Sequence, residues 1–405
     1  MGSGDRLEIR YWTGWTGPAL TAQQRLVARF NREHPRLRVR IVCVAGSYQK
    51  VRIAFAGGAT PDVVSAVWAD ELAGYAMRGA LAPLDGWLRR SGRSGSEYMP
   101  GVWRMLQYDG HCWGLAVTTN TNLMVYNRAI FRDAHLDPKR PPRSVAELDR
   151  DAAACTELNP DGSFARYGFR PSNLVAWGYV FGGRWYDPAT RRVTANDPHN
   201  VAALRWMASY AKRYDISRMT SFESTFGAQG TPNGPFFVGK IAIWNAGEWA
   251  RDHIRRYAPG MDWGYFALPA PPGGRPDTTT NGGSVFVIPA ACRHPAAAWE
   301  FLNWITSPAA VREFCLAVNN LPPLRIVAAQ PEWSGDPFMH FATRLAGGEN
   351  AFGPPSMPVW PAYTDALTRA EDYAMHAGAD PKALLDEVTI QIQRELDRAT
   401  RYAVY

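Results

Sequence analysis

Residues 11–20, YWTGWTGPAL, place Trp12 and Trp15 among small, turn-forming residues, between the alternating stretch LEIRY and a helix-like run. An indole on a turn is hard to bury, so its flat face is open to a ligand; the plainer alternative is packing beneath its own helix. Similar stretches recur along the chain. GSYQK offers Tyr48 and Gln49, VWADE offers Trp68 and Asp70, and TTNTN offers Asn120 and Asn122. LVAWGYVFGGRWYD holds Trp177 and Trp185 amid glycines, with Trp177 the first choice as a stacking platform. IWNAGEW carries Trp244, Asn245 and Glu248, NGGS carries Gly282 and Gly283, and PPSMPVWPAYTD presents Trp360 and Tyr363. The chemistry on offer is non-covalent. Ring faces cover apolar ligand surface, amides donate and accept at its polar edge, and missing side chains admit a ligand to backbone N–H groups. Local alternatives stand beside each: Asp70 and Glu248 as helix N-terminal charges, the asparagines as turn formers.

Covalent chemistry has weaker support. No G-x-S-x-G, H-E-x-x-H, P-loop or dinucleotide fingerprint occurs. The five cysteines, Cys43, Cys112, Cys155, Cys292 and Cys315, form no C-x-x-C pair, and their spacing suits no zinc site. Buried free thiols are expected at Cys43 and Cys155, and a disulfide cannot be paired from sequence. No metal and no cofactor is expected.

The elements that must position these residues follow from hydrophobic spacing. LEIRY, LRVRIVCV and PDVVSAV read as strands, and helical spacing runs between and after them. This strand–helix rhythm predicts a doubly wound α/β unit, and in such sheets the loops at strand carboxyl ends form the ligand crevice. The pattern restarts at NLMVYN. A long helix is expected at DPHNVAALRWMASYAKRYD, with Asp197 as N-cap and Pro198 at its first position. LPAPPGGRPDTTTNGG is the strongest break and reads as an interdomain connection into the strand SVFVIP. DPKALLDEVTIQIQREL puts Leu385, Val388, Ile392 and Leu396 on one stripe, so this last helix docks.

The chain's 405 residues exceed one compact core, so two domains are expected. Hydrophobic residues at 46% and charged residues at 20% fit a folded globular protein. No stretch approaches the ~18 apolar residues that span a bilayer. The net charge of +7 is spread among acidic residues, so no nucleic-acid partner is expected. MGSGDRLEIR carries no apolar signal region, Met1–Gly4 reads as a cloning remnant or the flexible stub of a trimmed terminus, and any export signal is expected outside this sequence.

The ordered landmarks resemble the extracellular solute-binding proteins of ABC importers, in the carbohydrate-binding branch built like maltose-binding protein. TPDV…GAL-PLD and LMVYN-AIFRDAHLDP-PPRSVAEL carry most of the resemblance, with GKIAIWNAGEW and TTNGGSVFVIP in sequence behind them. The resemblance implies a two-lobed α/β periplasmic-binding-protein fold of type II, each lobe a mixed sheet flanked by helices, with a hinge between. It divides the chain into a first lobe of residues 5–117 and 282–325 and a second of 118–281 and 326–405. It implies a monomer that captures a disaccharide or oligosaccharide outside the cytoplasm, either periplasmic or lipid-anchored, and delivers it to membrane permease subunits without catalysis. The expected ligand residues are Trp12, Trp15, Tyr48, Gln49, Trp68, Asp70, Asn120, Trp177, Trp244, Glu248, Gly283, Trp360 and Tyr363. A sugar's C–H face suits aromatic cover at about 25 cal/mol per Å². Two rivals remain: the same fold binding a glycerophosphodiester or other charged solute, which the neutral loop at Trp360 disfavours, and a glycoside hydrolase using Asp70 and Glu248.

Overall fold

The computed structural model describes residues 6–46, 48–58 and 60–401, with the side chain of Tyr48 outside the description. In chain order, the elements that build the site begin with β1 (Leu7–Thr13), α1 (Gly17–Glu33), β2 (Leu37–Cys43), α2 (Tyr48–Gly57) and β3 (Val63–Trp68). Then come β4 (Leu115–Ala116), β5 (Leu123–Asn127), α3 (Leu174–Val180), α4 (Pro198–Tyr214) and β6 (Ile243–Ala246). They are followed by α5 (Ala250–Tyr257), β7 (Trp263–Phe266), β8 (Thr279–Thr280) and β9 (Ser284–Val287). The chain closes with β10 (Ala351–Phe352), α6 (Trp360–His376) and α7 (Pro381–Arg401).

The first sheet has five strands in the order β2–β1–β3–β9–β4. β1 and β2 pair in parallel from Leu7↔Leu37 to Thr13↔Cys43, joined by α1 as a crossover. α1 begins beside Pro18, which needs no N–H partner in the first turn, and buries Leu26, Val27 and Phe30 on one stripe. β3 is buried on both faces until its last residue, Trp68. β9 returns antiparallel, with Ser284 opposite Trp68. The Pro/Gly-rich break therefore carries the chain from the end of β7 in the second sheet to β9 in the first.

The second sheet is β6–β5–β7, antiparallel throughout. Residues of β5 alternate between two hydrophobic cores: Met124 and Tyr126 face one, Leu123 and Val125 the other. Both faces of this sheet are covered, as the wholly apolar LMVY run requires. Asp197 caps α4 by accepting the N–H of His199, and Leu385, Val388, Ile392 and Leu396 bury one stripe of α7.

Cys155 is buried as expected, but Cys43 is exposed, because the last residue of an edge strand has no neighbour to cover it. The five thiols are unpaired.

Candidate functional site

The two sheets are joined by segments 118–122 and 279–284, which hydrogen-bond to each other. The N–H of Gly282 donates to Asn120 Oδ1 at 2.6 Å, and Thr119 Oγ1 donates to the Gly282 carbonyl at 3.2 Å. Asn122 N–H donates to Thr279 Oγ1 at 2.7 Å, and that hydroxyl donates back to the Asn122 carbonyl at 3.0 Å. A third segment joins through the N–H of Thr119, which donates to the Leu321 carbonyl at 2.8 Å. Asn120 is half-buried at this crossing.

Two sequence expectations change here. A Cβ on Gly283 would sit 2.3 Å from the Thr118 carbonyl oxygen, so its missing side chain admits the backbone of the other crossing segment. Glu248 is buried, and its Oε2 accepts the N–H of Thr121 at 3.0 Å and its hydroxyl at 3.4 Å. Burial pushes this carboxyl up to about 7, against the lowering pull of the Thr121 N–H. Glu248, expected to face a ligand, is instead buried and fastens the crossing.

At the carboxyl edge of the first sheet, Trp68 is 45% exposed. Asp70 follows it, half-buried, its carboxyl raised first by burial and then by the charge of Glu71. Trp12 lies within β1 and not in the loop; the strand runs two residues further than the alternation LEIRY. It is half-buried, with Lys50 Nζ 5.0 Å above its ring. Trp15 is in the loop but held by its own half. Its Nε1–H donates to Ser284 Oγ at 3.2 Å, and its ring meets Phe314 edge-on at 5.5 Å. Gln49 is exposed on α2, and the side chain of Tyr48, another expected ligand residue, lies outside the described residues.

In the second half, Trp177 is 0% exposed, wedged between Phe169 and Trp206, and cannot be a stacking platform. The reason is local. α3 reads LVAWGYV, apolar all round, and such a helix is buried all round. The glycines around its tryptophans serve packing: a Cβ on Gly178 would meet the Trp185 ring at 2.2 Å. Trp185 is equally buried, its Nε1–H donating to the Val175 carbonyl at 3.0 Å. Tyr363 is also in the core, donating its hydroxyl to the Trp185 carbonyl at 2.9 Å. Trp360 is only 4% exposed, yet it lines a cavity of about 280 Å³ with Tyr179, Phe352 and Glu371. Trp244, half-buried on Phe236 and Phe237, lines a second cavity of about 420 Å³.

Sequence reasoning missed the polar groups of that second cavity. Arg170 Nε and Nη2 donate to the two oxygens of Glu223 at 2.9 and 2.8 Å, and Tyr167 donates its hydroxyl to the same carboxylate. Asn245, also lining it, has its Oδ1 buried without a hydrogen-bond partner among the described residues. GFRPS bears no motif that would single out Arg170. Trp249 was missed as well. It is 38% exposed just before α5, and its ring leans against Gly247, where a Cβ would meet it at 2.1 Å. It stands in the IWNAGEW stretch, where exposure alone separates it from Trp244. Among the described residues no group of three or more His, Cys, Asp or Glu could hold a metal ion, and no helix is long and apolar enough to cross a membrane.

Two α/β halves, joined by hydrogen-bonded crossing strands with aromatic and amide side chains beside the crossing, define a hinged solute-binding architecture. The chain belongs to the bacterial extracellular solute-binding protein family, whose sequence profile matches residues 15–312. It is 23% identical over 361 residues to the maltotriose-binding protein of Pyrococcus abyssi, covering 85% of this chain and 73% of that one. It is 24% identical over 336 residues to the sn-glycerol-3-phosphate-binding periplasmic protein UgpB of Yersinia enterocolitica, covering 78% and 74%. Among solved structures, CpMnBP1 with mannotriose bound superposes with a TM-score of 0.80 at 25% identity, covering 95% of this chain and 100% of that one. The cyclic α-maltosyl-1,6-maltose binding protein of Arthrobacter globiformis gives 0.78 at 21% identity, covering 97% and 100%. The fold is the expected two-lobed, type II periplasmic-binding-protein fold.

Proposed function

We propose that this chain is the substrate-binding component of an ABC importer, capturing a disaccharide or oligosaccharide between its lobes outside the cytoplasm and handing it to membrane permease subunits as a monomer. The lobes are taken as residues 5–117 with 282–325 and 118–281 with 326–405. The observation that carries the reading is a pair of exposed indoles at the crossing segments: Trp68 ends β3 opposite Ser284, and Trp249 follows Glu248, which holds Thr121. They cover the two faces of a sugar, while Gln49, Asp70, Asn120 and the groups beside Trp12, Trp244 and Trp360 take its hydroxyls. A ligand touching both lobes stabilises the closed arrangement by its differential affinity. The likeness to maltotriose- and mannotriose-binding proteins supports a neutral saccharide.

The protein acts by binding, without catalysis. The hydrolase reading needs Glu248 open to substrate, whereas that residue is 2% exposed with Oε2 accepting from Thr121. The likeness to glycerol-3-phosphate-binding proteins keeps a charged solute as the rival; against it, Arg170 is already paired bidentately with Glu223. Calorimetric titration with maltotriose, mannotriose and sn-glycerol-3-phosphate decides. Saturable binding of a neutral saccharide is expected, and binding of the phosphate alone overturns the assignment.

A further inference from the structure

The arginines of the stretch PRLRVR meet those of β1 on one face of the first sheet. Arg6, Glu8 and Arg10 stand in one column and Arg36, Arg38 and Arg40 in the next, and all six are exposed. The residues alternating with them, Ile9, Tyr11, Leu37 and Val39, are buried in the core shared with α1. The parallel register sets Glu8 opposite Arg38 and Arg10 opposite Arg40. The Leu7 N–H donates to the Arg36 carbonyl at 3.1 Å, which brings Arg6 and Arg36 into the row before. Neighbouring strands lie about 4.8 Å apart, so five arginines in this array repel one another. Nearby carboxylates offset little of that. Glu8 reaches Arg40 at 3.9 Å with both side chains open to solvent, and Asp62, which accepts the Arg10 N–H at 2.8 Å, is buried. Beyond Arg10 the same face carries Trp12, with Lys50 above its ring, so the positive charge continues to α2.

Parallel sheets are ordinarily covered on both faces, yet this face is open over three rows at the edge strand β2. Charge on an edge strand guards against pairing with other chains, but that needs charge of either sign and no particular side chain. Five arginines beside one glutamate exceed it. None of the five is buried, so the face has no enclosed seat for one small anion. It presents several planar guanidinium forks side by side, the geometry that meets many phosphates at once. We propose that this arginine face is a docking surface for the anionic headgroups of a phospholipid bilayer. Docking stands on the face itself; its use, keeping the protein beside a membrane permease, rests on the binding-protein reading above. The arginines occupy the amino-terminal ends of β1 and β2, whereas Trp68 ends β3 at the carboxyl edge, so a docked protein keeps its ligand side free.

The test uses the full chain and vesicle flotation. Vesicles of phosphatidylcholine alone are compared with vesicles containing phosphatidylglycerol, at about 10 mM and about 150 mM salt, between which the Debye length falls from about 30 to about 8 Å. Binding to the anionic vesicles alone is expected, weaker at the higher salt. Each arginine near such a surface is worth about fivefold in partitioning, so Arg38→Gln with Arg40→Gln is expected to weaken it about 25-fold, and Arg6→Gln with Arg36→Gln by a similar factor. Arg394→Glu with Arg398→Glu, exposed on α7, changes the net charge twice as much and is expected to leave partitioning within about threefold. Thermal melts of the glutamine pairs should match wild type, since the replaced side chains are exposed. Wild type ignoring anionic vesicles overturns the proposal. So does equal weakening by the α7 pair, or retention on heparin without vesicle binding. A protein that binds the vesicles but no saccharide keeps the docking surface and loses the binding-protein reading.

Discussion

The Glu248 carboxylate accepts the backbone N–H of Thr121 at 3.0 Å, so the turn before α5 is fastened to the segment that carries the chain between the sheets. A carboxylate without a cation at this depth is held by the hydrogen bonds it receives, and burial still raises its affinity for a proton.

That shift fixes a pH dependence. The folded-state value, raised from 4.5 to about 7, means the folded protein binds this proton more tightly than the unfolded chain. The resulting stability is full below the unfolded value and is lost as pH climbs through the folded one, by up to about 3 kcal/mol. Urea unfolding from about pH 4.5 to about pH 8 is expected to show wild type losing stability relative to Glu248→Gln across this window. Parallel profiles for the two proteins would remove the assignment.

Exposed indoles should act on affinity alone. Trp68→Ala and Trp249→Ala each lose a ring worth roughly 1.5–3 kcal/mol against a ligand, which is about 10- to 100-fold in dissociation constant. Their melting temperatures should stay close to wild type, since each ring is more than a third exposed. Calorimetry beside a thermal melt separates the two effects, and unchanged affinity in both variants would sink the sandwich.

The buried indole behaves oppositely. Trp177→Ala empties a site between Phe169 and Trp206 and is expected to cost about 3–5 kcal/mol of stability. The fraction that remains folded should bind as wild type does. Denaturant titration followed by calorimetry at low temperature checks both halves of this expectation.

Gly283→Ala sets a methyl group 2.3 Å from the Thr118 carbonyl, between backbones that side-chain motion cannot relieve. A loss of roughly 1–3 kcal/mol is expected from overpacking. Because the strain falls on the crossing, ligand-induced compaction measured by small-angle scattering should shrink as well. A variant with wild-type melting and wild-type compaction contradicts the packing account.

The sequence by itself determined what depends on local spacing and chemistry. Alternation in LEIRY and LRVRIVCV, the Asp197-Pro198 start and the stripe from Leu385 to Leu396 each report a face or cap that neighbours in sequence are enough to specify. It also marked the Pro/Gly-rich break as the passage between two units. Only the tertiary structure decided which tryptophans were free. Trp68 and Trp177 both sit beside small residues, yet one is left exposed at the carboxyl end of its strand and the other is enclosed by Phe169 and by Trp206 of α4. Exposure is a sum over neighbours brought together by folding, and no short window contains it. The same holds for Arg170 with Glu223 and for Asn281 with Ala346, partners 53 and 65 residues apart that only the fold brings together.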